Sequence, residues 1–202
     1  MIDALLSLDT VVLVKTAGYV GMFFIIFAES GLFLGFFLPG DSLLFTAGFL
    51  SSQGYLHIIP LIILTFSAAI LGDNFGYAFG KKVGPQIFTK KDSLLFKKDY
   101  LIHAKEFYDK YGAKTIVLAR FVPIVRTFAP ILAGVANMKY KEFIFYNFIG
   151  ALMWGLAIPL LGYTLGSTVP NVDQYLVPII LLIIVTSFIP PVWHFIKERS
   201  RG

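Results

Sequence analysis

Three stretches of this chain, residues 58–80, 143–165 and 175–196, run on as apolar sequence for about twenty residues each, with Asp73 the one acid and His194 the one basic residue among them. About twenty apolar residues is the length at which a helix crosses the hydrocarbon of a bilayer. Such runs leave few options, because lipid admits only helices or closed barrels. The 202-residue chain is 57% hydrophobic and 14% charged, against about 45–50% and about 25% in an ordinary soluble domain. These features predict a single all-α domain with several membrane passes. Cysteine is absent, which excludes disulfides, thiolate zinc sites and iron–sulfur clusters. Residues 1–17 carry Asp3 and Asp9 with no basic n-region and no small-residue cleavage site, so they read as an interfacial N-terminal helix and not a signal peptide.

The least ordinary stretch is Arg120-Phe-Val-Pro-Ile-Val-Arg126, continued by Thr127-Phe-Ala-Pro-Ile-Leu-Ala-Gly134. An arginine at membrane depth costs several kcal/mol and faces a cavity or a partner. Pro123 and Pro130 remove backbone donors, which lipid tolerates only where the backbone is buried in protein or lines water. Residues 115–136 are therefore expected to form a re-entrant hairpin broken at these prolines. Residues 18–50 read the same way. Glu29 sits near the middle of one arm, Pro39-Gly40-Asp41 breaks the chain, and the return arm is too short to cross. Residues 85–111 alternate lysines with tyrosine, leucine and phenylalanine at helical spacing, an amphipathic segment with a basic face. That accounts for the net charge of +5 through an anionic lipid surface, with no need of nucleic acid. If 115–136 is re-entrant, the basic loop and the basic C-terminus fall on one side, cytoplasmic by the positive-inside rule.

The two halves echo one another. Ala47-Gly48 and Gly76-Tyr-Ala-Phe-Gly80 recur as Ala133-Gly134 and Gly162-Tyr-Thr-Leu-Gly166, 86 positions later, and Phe37-Leu-Pro39 recurs as Phe121-Val-Pro123. The expected architecture is two inverted repeats, each a re-entrant hairpin plus a transmembrane helix, followed by a C-terminal transmembrane helix. Secondary transporters place their site at such a repeat interface. The first repeat supplies Glu29, Asp41 and Asp73, and the second Arg120 and Arg126. Guanidinium is a planar fork of donors suited to phosphate, so the arginines are candidate ligands for an anionic headgroup. Glu29, Asp41 and Asp73 are candidates for proton coupling or ion pairing, and Asp41 is placed to cap a half-helix. No nucleophile elbow, phosphate-binding loop or zinc-helix motif is present. His57, His103 and His194 fall in loops or at interfaces, away from the arginines. No enzyme activity, metal or cofactor is expected, and any uphill transport would draw on protons or another coupling ion.

Phe37-Leu-Pro-Gly-Asp-Ser-Leu-Leu-Phe45, Gly72-Asp-Asn74 and Arg120-Phe-Val-Pro-Ile-Val-Arg-Thr-Phe-Ala-Pro130 closely resemble the bacterial DedA family, within the SNARE-associated or VTT-domain membrane proteins. The resemblance runs from Gly18 to about Phe195. It implies a lipid translocase of the bacterial cytoplasmic membrane, with undecaprenyl phosphate as the expected cargo and a dependence on protons or membrane potential. It also implies functional roles for Glu29, Asp41, Arg120 and Arg126. A passive phospholipid scramblase and a proton-coupled antiporter of small cationic solutes are the alternatives. Oligomeric state is left open.

Overall fold

A computed structural model describes residues 10–32, 38–87, 106, 108 and 110–168. The expected helix at 175–196, nearly all of the amphipathic segment at 85–111 and the first nine residues lie outside this range. All regular structure among the described residues is helical: α1 (Thr10–Gly31), α2 (Gly40–Ser52), α3 (Ile58–Ile87), α4 (Thr115–Ala119), α5 (Pro123–Val135) and α6 (Tyr140–Thr168).

Among the described residues three helices are long and apolar enough to cross a membrane, over Val11–Gly31, Ile58–Val83 and Tyr140–Thr168. The arm expected to begin at Gly18 extends back to Thr10. Gly18 itself has φ +57, a left-handed conformation that kinks the helix and suits a residue without Cβ. With this extension α1 reaches spanning length. In contrast, α2 and α5 have 13 residues each and α4 five, which at 1.5 Å per residue is about 20 Å or less.

The helices form two compact units. One holds 10–23, 39–65 and 155–168; the other holds 24–32, 66–87 and 115–154. In the first, α2 is buried almost all round, from Leu43 to Leu50, as its uniformly apolar sequence requires. A Cβ added at Gly48 would collide with the Pro159 backbone of α6, and one at Gly162 with the Phe45 carbonyl of α2. The second unit repeats this packing with other partners. Gly134 of α5 lies on the Tyr77 carbonyl of α3, and Gly80 of α3 on the Ile131 carbonyl of α5. Its core is Tyr77, Ile116, Ala119, Ala129, Ala133 and Phe143. In each unit a short helix thus reaches backbone contact with a long one through small residues, the way helices associate where hydrophobic sorting gives no advantage. Val20, Ile59, Leu118 and Leu161 are well exposed, a surface suited to hydrocarbon.

Candidate functional site

Arg120 and Arg126 lie on either side of a chain break. α4 ends at Ala119, with Arg120 as its C-terminal cap residue. Val122 is extended at φ −117, ψ 106, and Pro123 opens α5 at its first turn, where its missing N–H costs nothing. On a continuous helix a spacing of six would point the two side chains apart. Restarting the helix after one extended residue lets both turn inward, and both arginines are buried. Pro130 lies inside α5, which continues through it, so the break in this segment falls at 120–122. At the other expected break, Pro39 is the N-cap residue of α2 and Gly40 its first residue.

Each arginine has a carboxylate. Arg126 Nη2 donates to Glu29 Oε1, near the end of α1, and Arg120 Nη2 donates to Asp73 Oδ2 on α3. All four side chains are nearly inaccessible to solvent. Of the acids proposed from sequence, Glu29 and Asp73 are the partners brought to the arginines within this unit. Asp41 lies in the first turn of α2 in the other unit, half-buried, where a carboxylate complements the helix dipole. The four charges form one electrostatic cluster, because Asp73 also feels Arg126, and Arg120 also feels Arg126 and Glu29. Two cations and two anions make it neutral, the condition under which buried charge is tolerated.

Helix α6 completes the site with residues whose part was not foreseen. Asn147 Oδ1 accepts from Arg120 Nη2 at 2.6 Å. The Arg126 guanidinium carbon lies 4.7 Å from the centre of the Trp154 ring, within cation–π range. A Cβ at Gly150 would come within 3.3 Å of Arg120 Nε, so the missing side chain makes room for the arginine. Asn147, Gly150 and Trp154 recur at spacings of three and four, one face of a helix. The only sign in the sequence is a polar residue and a tryptophan in mid-span. Thr127 Oγ1 donates to the Glu29 carbonyl at 3.3 Å, tying α5 to α1 beside the pair.

Saturation is incomplete. Among the described residues Arg120 Nη1, Asp73 Oδ1 and Ser30 Oγ are buried without a hydrogen-bond partner. A buried polar atom without a partner costs about 1–3 kcal/mol, so the cluster retains capacity for a further polar group. Next to the arginines in sequence, Ala119 and Val125 join Leu118, Val122, Phe128 and Leu132 in lining an open apolar cleft of about 430 Å³. The segment that carries buried cations therefore also borders a groove fit for a hydrocarbon chain. Among the described residues no group of His, Cys, Asp and Glu could hold a metal ion.

The VTT domain matches residues 38–164. The chain is 45% identical to protein DedA of Escherichia coli K12 over 183 residues, 90% of this chain and 83% of that protein. It is 41% identical to a membrane protein of Mycobacterium leprae over 180 residues, 88% of this chain and 80% of the other. With the inner membrane protein YghB of Salmonella typhimurium it shares 34% identity over 157 residues, 78% and 71% of the two chains. No solved structure matches. With its apolar helices of spanning length, its VTT domain and this degree of identity, the chain belongs to the DedA family of membrane proteins.

Proposed function

We propose that the chain is a translocase for anionic lipids in the bacterial cytoplasmic membrane, carrying undecaprenyl phosphate or a lipid with the same phosphate-monoester headgroup. It moves its lipid without changing it covalently. The observation that carries this reading is the neutral cluster of two buried arginines on two buried carboxylates, Arg120–Asp73 and Arg126–Glu29. A fixed ion pair that served only stability would be a poor solution, since apolar residues of the same volume do as well or better. Guanidinium binds phosphate by the same planar fork with which it binds carboxylate, so a phosphate headgroup can replace either acid on its arginine. A displaced carboxylate in a low-dielectric site is neutralised by a proton, which links headgroup entry to proton uptake and makes the transport sensitive to protons or membrane potential. Asp41, half-buried at the start of α2, is assigned to the same proton traffic.

The apolar cleft along α4 and α5 supports a course in which the headgroup crosses while the tail stays in hydrocarbon. The two hairpins re-enter the bilayer from opposite sides in this reading, with the basic segment and C-terminus cytoplasmic. The repeated glycine packing of short on long helices in the two units supports the duplication. The test is flip-flop of undecaprenyl phosphate in proteoliposomes with Arg126→Ala. Transport should fall to the protein-free rate, and undiminished transport would sink the assignment of Arg126 to the headgroup. A zwitterionic phospholipid should compete poorly; equal competition would make the protein a general scramblase.

A further inference from the structure

A second polar site lies at one end of α3, in the unit that holds the arginine cluster. A cleft of about 510 Å³ is lined by Asn74, Tyr77, Ala78, Lys81, Lys82 and Tyr140. Its volume is within the range of about 300–1,000 Å³ usual for small-ligand sites. Lys81 and Lys82 stand at the end of the spanning stretch Ile58–Val83, and Tyr140 begins the stretch Tyr140–Thr168, so the cleft opens where membrane gives way to water. Both lysines are exposed.

The floor of the cleft is built, not incidental. Tyr77 O–H donates to the Met138 carbonyl at 2.5 Å, and its ring stacks on Phe143 with centroids 4.5 Å apart. Asn137, at φ +56, makes the sharp return that brings Met138 to Tyr77. Tyr140 O–H donates to Asn74 Oδ1 at 2.9 Å, while Asn74 Nδ2 donates to the Ile70 carbonyl at 2.8 Å. Lys81 Nζ lies 5.9 Å from the Tyr77 ring centre, which holds its ammonium over the cleft. The neighbouring acid, Glu142, is turned to Lys139, with Nζ and Oε1 3.5 Å apart. Among the described residues no carboxylate lines the cleft, so within them its lysines face no fixed counter-ion.

We infer that this cleft is an anion site for a phosphate monoester, the place where a headgroup is held at the membrane surface before or after passage. The staging role rests on the translocase reading above; the anion site itself does not. Two lysines lining one cleft, each with three mobile donors, fit the spread charge of a phosphate dianion. The source is a lipid headgroup or free phosphate, and the chemistry is shared.

The test is calorimetric titration of the full chain, in nanodiscs of zwitterionic lipid, with a soluble short-chain phosphatidic acid and separately with inorganic phosphate. For the wild type, binding of the phosphatidic acid is expected, weakened about tenfold or more in Lys81→Gln/Lys82→Gln, as loss of one or two charge-assisted hydrogen bonds implies. Lys81→Arg/Lys82→Arg should restore it to within about threefold, because the charge is kept. Lys139→Gln should leave it unchanged. If only the phosphatidic acid responds to the lysine variants, the ligand is a lipid headgroup; if inorganic phosphate responds equally, it is the free anion. Identical isotherms for wild type and Lys81→Gln/Lys82→Gln with both probes would overturn the site. Failure of the translocase reading shows separately, as absent flip-flop in the wild type while the isotherm still depends on Lys81 and Lys82.

Discussion

Among single residues, the decisive fact is that Arg120 and Arg126 are buried with one carboxylate each. Removing one member of such a pair strands a charge and costs about 3–5 kcal/mol, whereas removing both members leaves none. Asp73→Asn should therefore unfold in detergent far below the wild type, and adding Arg120→Gln should recover part of the loss. Additive losses in that thermal double-mutant cycle would mean the pair is not coupled. Asn147→Leu should cost about 1.5–3 kcal/mol, the worth of a hydrogen bond to a charged group, seen as a lower unfolding midpoint. Glu29, Arg120 and Arg126 were legible in the sequence because a charge inside an apolar run has few bland explanations. Asp73 was harder, since its distance from Lys81 allowed it to reach the interface. Asn147 and Trp154 were not legible as site residues. A neutral polar group and a large ring acquire a role only when the inward face of α6 is known, and that face is set by packing on α3 and on the arginine-bearing segment, not by the sequence of α6.

The elements owe their arrangement to small residues at crossings. Gly134 lies against the Tyr77 carbonyl, and Gly48 against the Pro159 backbone, so neither position has room for a Cβ. Gly134→Leu should destabilise by about 1–3 kcal/mol or more, as overpacking does, and loosen α5 on α3. Gly54 has φ +82 with open space around it, so Gly54→Ala should cost only the roughly 1–2 kcal/mol of a left-handed residue. Equal midpoints for Gly134→Leu and wild type would show that the close contact is not maintained. The i+4 spacing of Gly72, Gly76 and Gly80 marks a small-residue surface that another helix can approach. Its partner is not legible there: the sequence shows that a helix can approach, but not that Gly80 receives Ile131 while Gly72 receives α1. Proline was a weaker guide. Pro123 starts a helix as its chemistry favours, but Pro130 sits within one, because its missing N–H can be accommodated where neighbours supply the packing.

On the scale of the whole molecule, the described residues include three helices of spanning length and two shorter elements that cannot span, and one of these, the α4–α5 segment, holds both arginines. Length and hydropathy were enough to read the α3 and α6 spans and the shortness of α2 from sequence, whereas the break before α5 is read from the prolines and arginines of 120–130. Length and hydropathy were not enough for α1, where the kink at Gly18 hides the continuity of residues 10–17 with the arm that bears Glu29. If the buried charges exist for the cargo and not for the fold, the neutral pair Glu29→Gln/Arg126→Gln separates the two roles. Both side chains remain polar and of similar length, and no charge is left uncompensated, so folding should survive with an unfolding midpoint near that of the wild type. The most direct measurement is the flip-flop rate of undecaprenyl phosphate in proteoliposomes of this folded double variant beside the wild type. The variant is expected to fall to the protein-free rate; a rate equal to the wild type would mean that the buried charges have no part in moving the lipid.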